Sequence, residues 1–188
     1  MAKRSDSPHI RASYSGNLRD YNGTGAWSIA EVQARYRHYC DLLHIVDSRL
    51  PRVRESKDGD VTWVYPIMED VIEGIERGDA ACIALGIDFI EEDHHFIFGK
   101  TLKSNTARAL RRADLTESQK ERIRERVVKM LVSGTIPHEM REYAKLLRKV
   151  GVGRFWSRLE RDISRENRFA MRFFEYLRTA ECRPNETK

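Results

Sequence analysis

Cysteine is scarce in this chain: Cys40, Cys82 and Cys182 are the only three in 188 residues, and no two of them stand at C-x-x-C spacing. That excludes a disulfide framework and a zinc–thiolate centre as organising devices, and reduced thiols are expected. Long apolar runs are missing too. Nothing approaches the roughly eighteen consecutive apolar residues that a bilayer-spanning helix needs, so no membrane association is expected. The opening stretch, MAKRSDSPHIRASYSGNLRDYNGTG, has no apolar h-region of the kind a secretory leader carries, and a cytoplasmic location is the expectation that follows. Catalytic signatures are absent as well. Without a G-x-S-x-G, a Walker loop, a G-x-G-x-x-G or an H-E-x-x-H, the expected product is a non-catalytic protein with no cofactor.

What the chain has in quantity is charge, which makes up 34% of its residues beside 40% hydrophobic ones. The balance marks a globular domain, and the distribution is uneven. Residues 1–99 hold 11 Lys and Arg against 17 Asp and Glu, a net of −6, whereas residues 100–188 hold 23 against 12, a net of +11. An asymmetry of this kind points to a basic surface for nucleic acid or another polyanion, unless the two halves neutralise each other inside one fold.

Residues 1–27 are rich in Ser, Gly, Asn and Arg without periodicity and read as a flexible arm, with Tyr14, Tyr21 and Trp27 as aromatics that could lie down on the domain or a partner. Residues 28–183 read as a single α-helical domain and 184–188 as a tail. A capping box, Ser28-x-x-Glu31, opens a first helix whose stripe of Ile29, Val32, Tyr36, Tyr39, Cys40, Leu43, Val46 and Leu50 runs to Pro51. Val53, Val61, Trp63 and Tyr65, divided by Lys57-Asp58-Gly59-Asp60, predict one short β-hairpin. Pro66 then starts a helix that Gly78 ends, and Asp79 caps the next, AACIALGIDFI, which is apolar nearly all round and predicted to be the centre of the core.

Three more helices are expected in the basic half. They cover residues 99–113, a segment opened by the Thr116–Gln119 capping box, and a segment from Pro137 to Val150. Helices joined by short loops over residues 66–150, with Gly78-Asp79 between two of them, resemble HEAT-type antiparallel helical pairs. That resemblance implies a scaffold with a binding face and no chemistry. The whole is expected to be mainly α, a bundle or short HEAT-like stack of six to seven helices.

The strongest pattern lies in Gly153–Arg178, read as one helix. There Arg154, Arg158, Arg161, Arg165, Arg168 and Arg172 alternate at spacings of four and three and form one longitudinal stripe. Phe155, Trp156, Leu159, Ile163, Phe169, Ala170, Phe173 and Leu177 form an apolar face beside it. Because guanidinium groups suit both phosphates and carboxylates, this stripe, with Arg108, Arg111 and Arg112, is the expected polyanion-binding surface. The expected partner is nucleic acid or an acidic protein, and a homo-oligomer pairing basic with acidic halves is the competing reading.

Weaker constellations stand beside it. Asp162 and Glu166 fall on the apolar side of that helix and would need ion-pair partners or a metal. Glu91-Glu92-Asp93-His94-His95 and the trio Cys40, His44 and Asp47 offer metal-ligand chemistry without signature spacing, and a metal-dependent enzyme built from His94, His95, Asp162 and Glu166 is the third reading. Residues 99–133 could form a helix-turn-helix that puts Thr116 to Lys120 at base edges, although Glu117, Glu121 and Glu125 would repel phosphates.

Overall fold

The segment without a polar face lies where its composition demands. In a computed structural model that describes residues 13–15, 17–94 and 98–181, with side chains over 17–94 and 98–179, α3 (Ala80–Glu92) is buried from Ala81 to Ile90 except at Asp88. Asp79 caps it by accepting a hydrogen bond from the Cys82 amide at 3.0 Å. The other α-helices are α1 (Ile29–Leu42), α2 (Met68–Glu76), α4 (Gly99–Leu110), α5 (Glu117–Val132), α6 (Met140–Val150), α7 (Trp156–Asp162) and α8 (Arg168–Glu181). They pack in two layers. α2, α4, α6 and α8 touch one another in turn along one side, and α1, α3, α5 and α7 do so along the other. Contacts of α3 with α2 and α4, and of α5 with α6 and α8, join the two layers, and the fold is mainly α, as the periodicities predicted.

The predicted hairpin is present as β3 (Glu55–Asp58) and β4 (Val61–Val64), turning at Gly59 with φ +57°. It belongs to a larger sheet. β1 (Ser13–Ser15) and β2 (Leu18–Asp20) form a second hairpin, and β2 runs parallel to β4, giving the order β1-β2-β4-β3. Within the stretch expected to be an arm, Ser13–Ser15, Leu18–Asp20 and a 3₁₀ turn at Gly25–Trp27 form elements of the fold, while residues 1–12 and the predicted tail at 184–188 lie outside the described residues. Side chains explain the attachment. Asn22 accepts from the Ile67 amide at 2.6 Å and donates to the Tyr65 carbonyl at 3.2 Å. Trp27, 1% exposed, meets Phe89 edge to face at 4.8 Å and donates its indole N–H to Glu92 at 2.9 Å. Lone aromatics in a polar stretch were the legible sign; their partners are some 60 residues away.

Two helices are shorter than their patterns suggested. α1 stops at Leu42, not at Leu50, because His44 adopts φ +54° and the Ile45 amide turns back to the Cys40 carbonyl at 2.9 Å, which closes the last turn. Leu42, Leu43 and Val46 are left exposed. The long terminal helix is broken. A 3₁₀ turn at Gly153–Phe155 leads into α7, Ile163 is extended at ψ 131°, and α8 restarts after Asn167. The Asn167 side chain accepts from the amides of Phe169 and Ala170, both at 3.1 Å, and donates to the Gly134 carbonyl at 3.3 Å. An N-cap anchored to another loop outweighs helix continuity here. As a result Phe174 is buried where Phe169 had been expected, and Phe169 is exposed.

A charged cluster locks the layers together. Lys103, 1% exposed, pairs with Asp93 and, at 3.2 Å, with Glu139, 2% exposed, while Arg126 reaches Asp93 at 3.1 Å. These residues come from α4, the end of α3, the start of α6 and α5. Lys103 and Glu139 are residue types that sequence alone places at the surface. Both are buried because α4, α5 and α6 converge on them.

Candidate functional site

The helix α6 carries Arg141, Lys145 and Arg148 at positions i, i+4 and i+7, which aligns them on one face. On α8 the residues Arg172 and Tyr176, four apart, face them with Phe173 between. The two helices are neighbours in the same layer, and the small side chain of Ala144 leaves an open groove of about 500 Å³ lined by Arg141, Ala144, Lys145, Arg172, Phe173 and Tyr176. At its edge the Arg148 guanidinium lies 5.0 Å from the centre of the Tyr176 ring.

Electrostatically the groove is one-signed. Arg141, Arg148 and Arg172 have no carboxylate at ion-pair distance among the described residues, and Lys145 pairs with Glu142 at 2.9 Å. Glu142 is buried, and burial by itself would raise its pKa. The Lys145 hydrogen bond and charge, with the charge of Arg108, outweigh that and hold its carboxyl below the usual range. It stays ionised and already neutralised, so it leaves the positive field of Arg141 and Arg172 unopposed.

The arginines expected to form one stripe are dispersed by the break at 163–167. Arg154 sits on the 3₁₀ turn and pairs with Glu121. Arg161 holds its neighbour Asp162 through two contacts of 2.8 and 3.1 Å, an exposed pair. Arg158 on α7, Arg165 in the connecting turn and Arg168 at the start of α8 are exposed and have no ion-pair partner among the described residues; Arg168 lies over the Phe169 ring at 4.8 Å. Only Arg172 of the six lines the groove. Arg108 and Arg111 are drawn to Glu142 at 3.4 and 3.5 Å, and Arg112 to Glu76 at 3.1 Å. Arg141, Lys145, Arg148 and Tyr176 were not singled out as ligand-binding, although their helical spacing was readable. What could not be read was which helix α6 would face.

The remaining constellations resolve differently. Asp162 and Glu166 are exposed at the break, so neither is buried on an apolar face. Cys40 is buried, whereas His44 and Asp47 lie beyond the end of α1 and are exposed, so the three do not share a helix face. His94 is exposed; His95, like Cys182, lies outside the described residues, and no group of three His, Cys, Asp or Glu able to hold a metal occurs among the described ones. α4 and α5 are joined as a helix-turn-helix would require, and the Thr116–Gln119 capping box forms. Yet α5 is enclosed by α3, α6, α7 and α8, and its arginines are spent internally. Arg122 holds Asp88 at 2.8 Å and also Glu91, and Arg124 donates to the terminal carbonyls of α6, Gly151 at 2.9 Å and Val150 at 2.6 Å. The residues it leaves exposed, Glu117, Ser118, Glu125 and Lys129, include two carboxylates that phosphates would repel.

No helix among the described residues is long and apolar enough to cross a membrane. Compared with known proteins, the chain matches no family model, no curated protein and no solved structure.

Proposed function

We propose that this protein is a non-catalytic binding protein that engages a polyanion, nucleic acid in the first place, through the groove between α6 and α8. The observation that carries the reading is the alignment of Arg141, Lys145 and Arg172 along one open groove in which two of the three have no carboxylate partner among the described residues. Phe173 and Tyr176 add ring surface between the cations, the combination that suits unpaired bases stacked between phosphate contacts. Single strands are therefore the favoured form. Arg158, Arg165 and Arg168 are exposed elsewhere on the α7–α8 segment and extend the positive surface.

The test is fluorescence anisotropy with labelled single-stranded RNA and DNA across a salt series. Each phosphate contact released by salt contributes roughly −0.7 to the slope of log K against log salt for single strands. The three groove cations therefore predict a slope near about −2. The double substitution Arg141→Ala with Arg172→Ala should weaken binding at least about tenfold and flatten that slope. Arg112→Ala, at a paired site, should change little. Binding that is undetectable, or indifferent to salt, overturns the proposal. A salt-labile dimer in light scattering, abolished by the same double substitution, would assign the groove to self-association instead.

A further inference from the structure

A second cavity, of opposite character, lies on the sheet. The register sets Arg19 beside Trp63 on one flank and Ser56 beside it on the other. Strand alternation then places Arg19, Tyr21, Ser56, Asp58, Trp63 and Tyr65 on one face, while Val64 points the other way and is buried. Phe98 and the start of α2 close that face into a cavity of about 520 Å³.

Its walls are aromatic. Tyr21 stacks on Trp63 with centroids 5.7 Å apart and meets Phe98 edge to face at 5.1 Å. The Tyr65 hydroxyl is tied to Ser56 Oγ at 3.1 Å, which fixes the fourth ring. Phe98 is held at the rim by a left-handed backbone, φ +61°, an uncommon conformation for a residue with a bulky side chain, and its ring is half exposed. Two carboxylates complete the lining. Glu69 is paired with Arg54 at 3.1 Å, whereas Asp58 has no ion-pair partner among the described residues. Among the described residues no lysine or arginine lines the cavity. The Arg19 guanidinium, 4.7 Å from the Trp63 ring centre and outside the lining, shows that this ring takes a cation on its face.

We infer that this cavity binds a methylated ammonium head group, the chemistry shared by choline-type small molecules and by trimethyllysine side chains. Four aromatic rings and a carboxylate without an ion-pair partner among the described residues line the cavity; Arg19 is already seated over the Trp63 ring, so an ammonium would take its place there or meet the remaining surface of Tyr21, Tyr65 and Phe98. An anion would be repelled, and a hard metal ion would find too few oxygens. A quaternary ammonium fits because its charge is spread over methyl groups that bury against rings with little loss of hydration. The inference is independent of the α6–α8 groove, which is positive.

The experiment is calorimetric titration of the full chain with choline, tetramethylammonium, and a short peptide carrying trimethyllysine or unmodified lysine. The uncharged isostere 3,3-dimethyl-1-butanol serves as control. Saturable binding of the ammonium compounds, with the isostere roughly tenfold weaker, is expected. Asp58→Asn, at an exposed position that the fold does not need, should weaken binding several-fold, and Trp63→Ala should remove it. Choline and tetramethylammonium binding as well as the peptide would point to a free small molecule; preference for the trimethyllysine peptide over both would point to a protein side chain. Equal binding of the isostere, or no saturable binding of any ammonium compound to the unaltered chain, overturns the inference. Should Trp63→Ala not fold, the isostere comparison and Asp58→Asn decide the matter.

Discussion

Lys103 shows how much depends on one buried charge. Its ammonium lies between Asp93 and Glu139, and three neighbouring polar atoms, Arg126 Nε, Glu139 Oε2 and the Tyr143 hydroxyl, are buried with no hydrogen-bond partner among the described residues. Replacing Lys103 with Met would leave the Glu139 carboxylate buried without its ion-pair partner and Asp93 with Arg126 alone. The expected loss is about 3–5 kcal/mol of unfolding free energy in urea titration. Tyr143→Phe removes a hydroxyl that satisfies nothing, so stability should change by less than about 1 kcal/mol or rise slightly. If Tyr143→Phe proved as damaging as Lys103→Met, the hydroxyl would have a partner after all.

Titration at single residues gives a second prediction. Burial, and then the hydrogen bond to Asp88 at 2.6 Å, pushes the Tyr39 hydroxyl up to about 12, and burial raises Tyr36 and Tyr143 as well. Protonated tyrosines are thus favoured in the folded state. Their contribution is complete below about pH 10, where an unfolded tyrosine ionises, and is lost as pH rises towards 12. Melting temperature should therefore fall between those values, and Tyr39→Phe should reduce the slope. At the acid end Glu142 behaves oppositely. Its lowered pKa contributes stability above the ordinary carboxylate range, and this is lost as pH falls through the folded value.

At the scale of elements, the α7–α8 break rests on Asn167. Its side chain caps α8 and holds the loop at Gly134, so Asn167→Ala should cost about 1 kcal/mol or somewhat more. A larger far-UV helical signal in that variant would show the two helices fusing, which the packing of Ile163 and Phe174 in the core opposes. The α2–α3 contact is equally tight. A Cβ on Gly74 would meet Cys82 Cβ at 2.9 Å, with the sulfur closer still. Gly74→Ala is expected to destabilise by about 1–3 kcal/mol because two helix axes must move apart.

For the molecule as a whole, the charge imbalance between its halves is partly consumed in assembling it. Arg112, Arg122 and Arg126 of the basic half reach Glu76, Asp88, Glu91 and Asp93 of the acidic half. The cations left over gather towards α6, α7 and α8. Stability and binding should therefore separate. Arg122→Ala removes the ion-pair partner of Glu91 and leaves Asp88 with the Tyr39 hydroxyl and the more distant Arg35, and should lower the melting temperature; Arg141→Ala and Arg172→Ala, without ion pairs to lose, should leave it unchanged while weakening polyanion binding. Thermal melts run beside anisotropy on the same three variants check this.

Composition and periodicity alone determined the helical class, the capped starts at Ser28, Asp79 and Thr116, the β3–β4 hairpin, and the burial of α3. Each of these depends on residues within a few positions of one another, where backbone hydrogen bonds and side-chain period leave little choice. Only the tertiary structure decided which arginines remain available, because an ion pair such as Arg122 with Asp88 joins residues 34 positions apart and depends on which helices become neighbours. The same holds for Trp27, whose partner Glu92 lies 65 positions on, and for the α7–α8 break, where an anchor at Gly134 overrides an unbroken helical pattern. Both cavities are of this kind. Their lining comes from elements whose local sequence carries the residue types, while packing alone brings them to face each other.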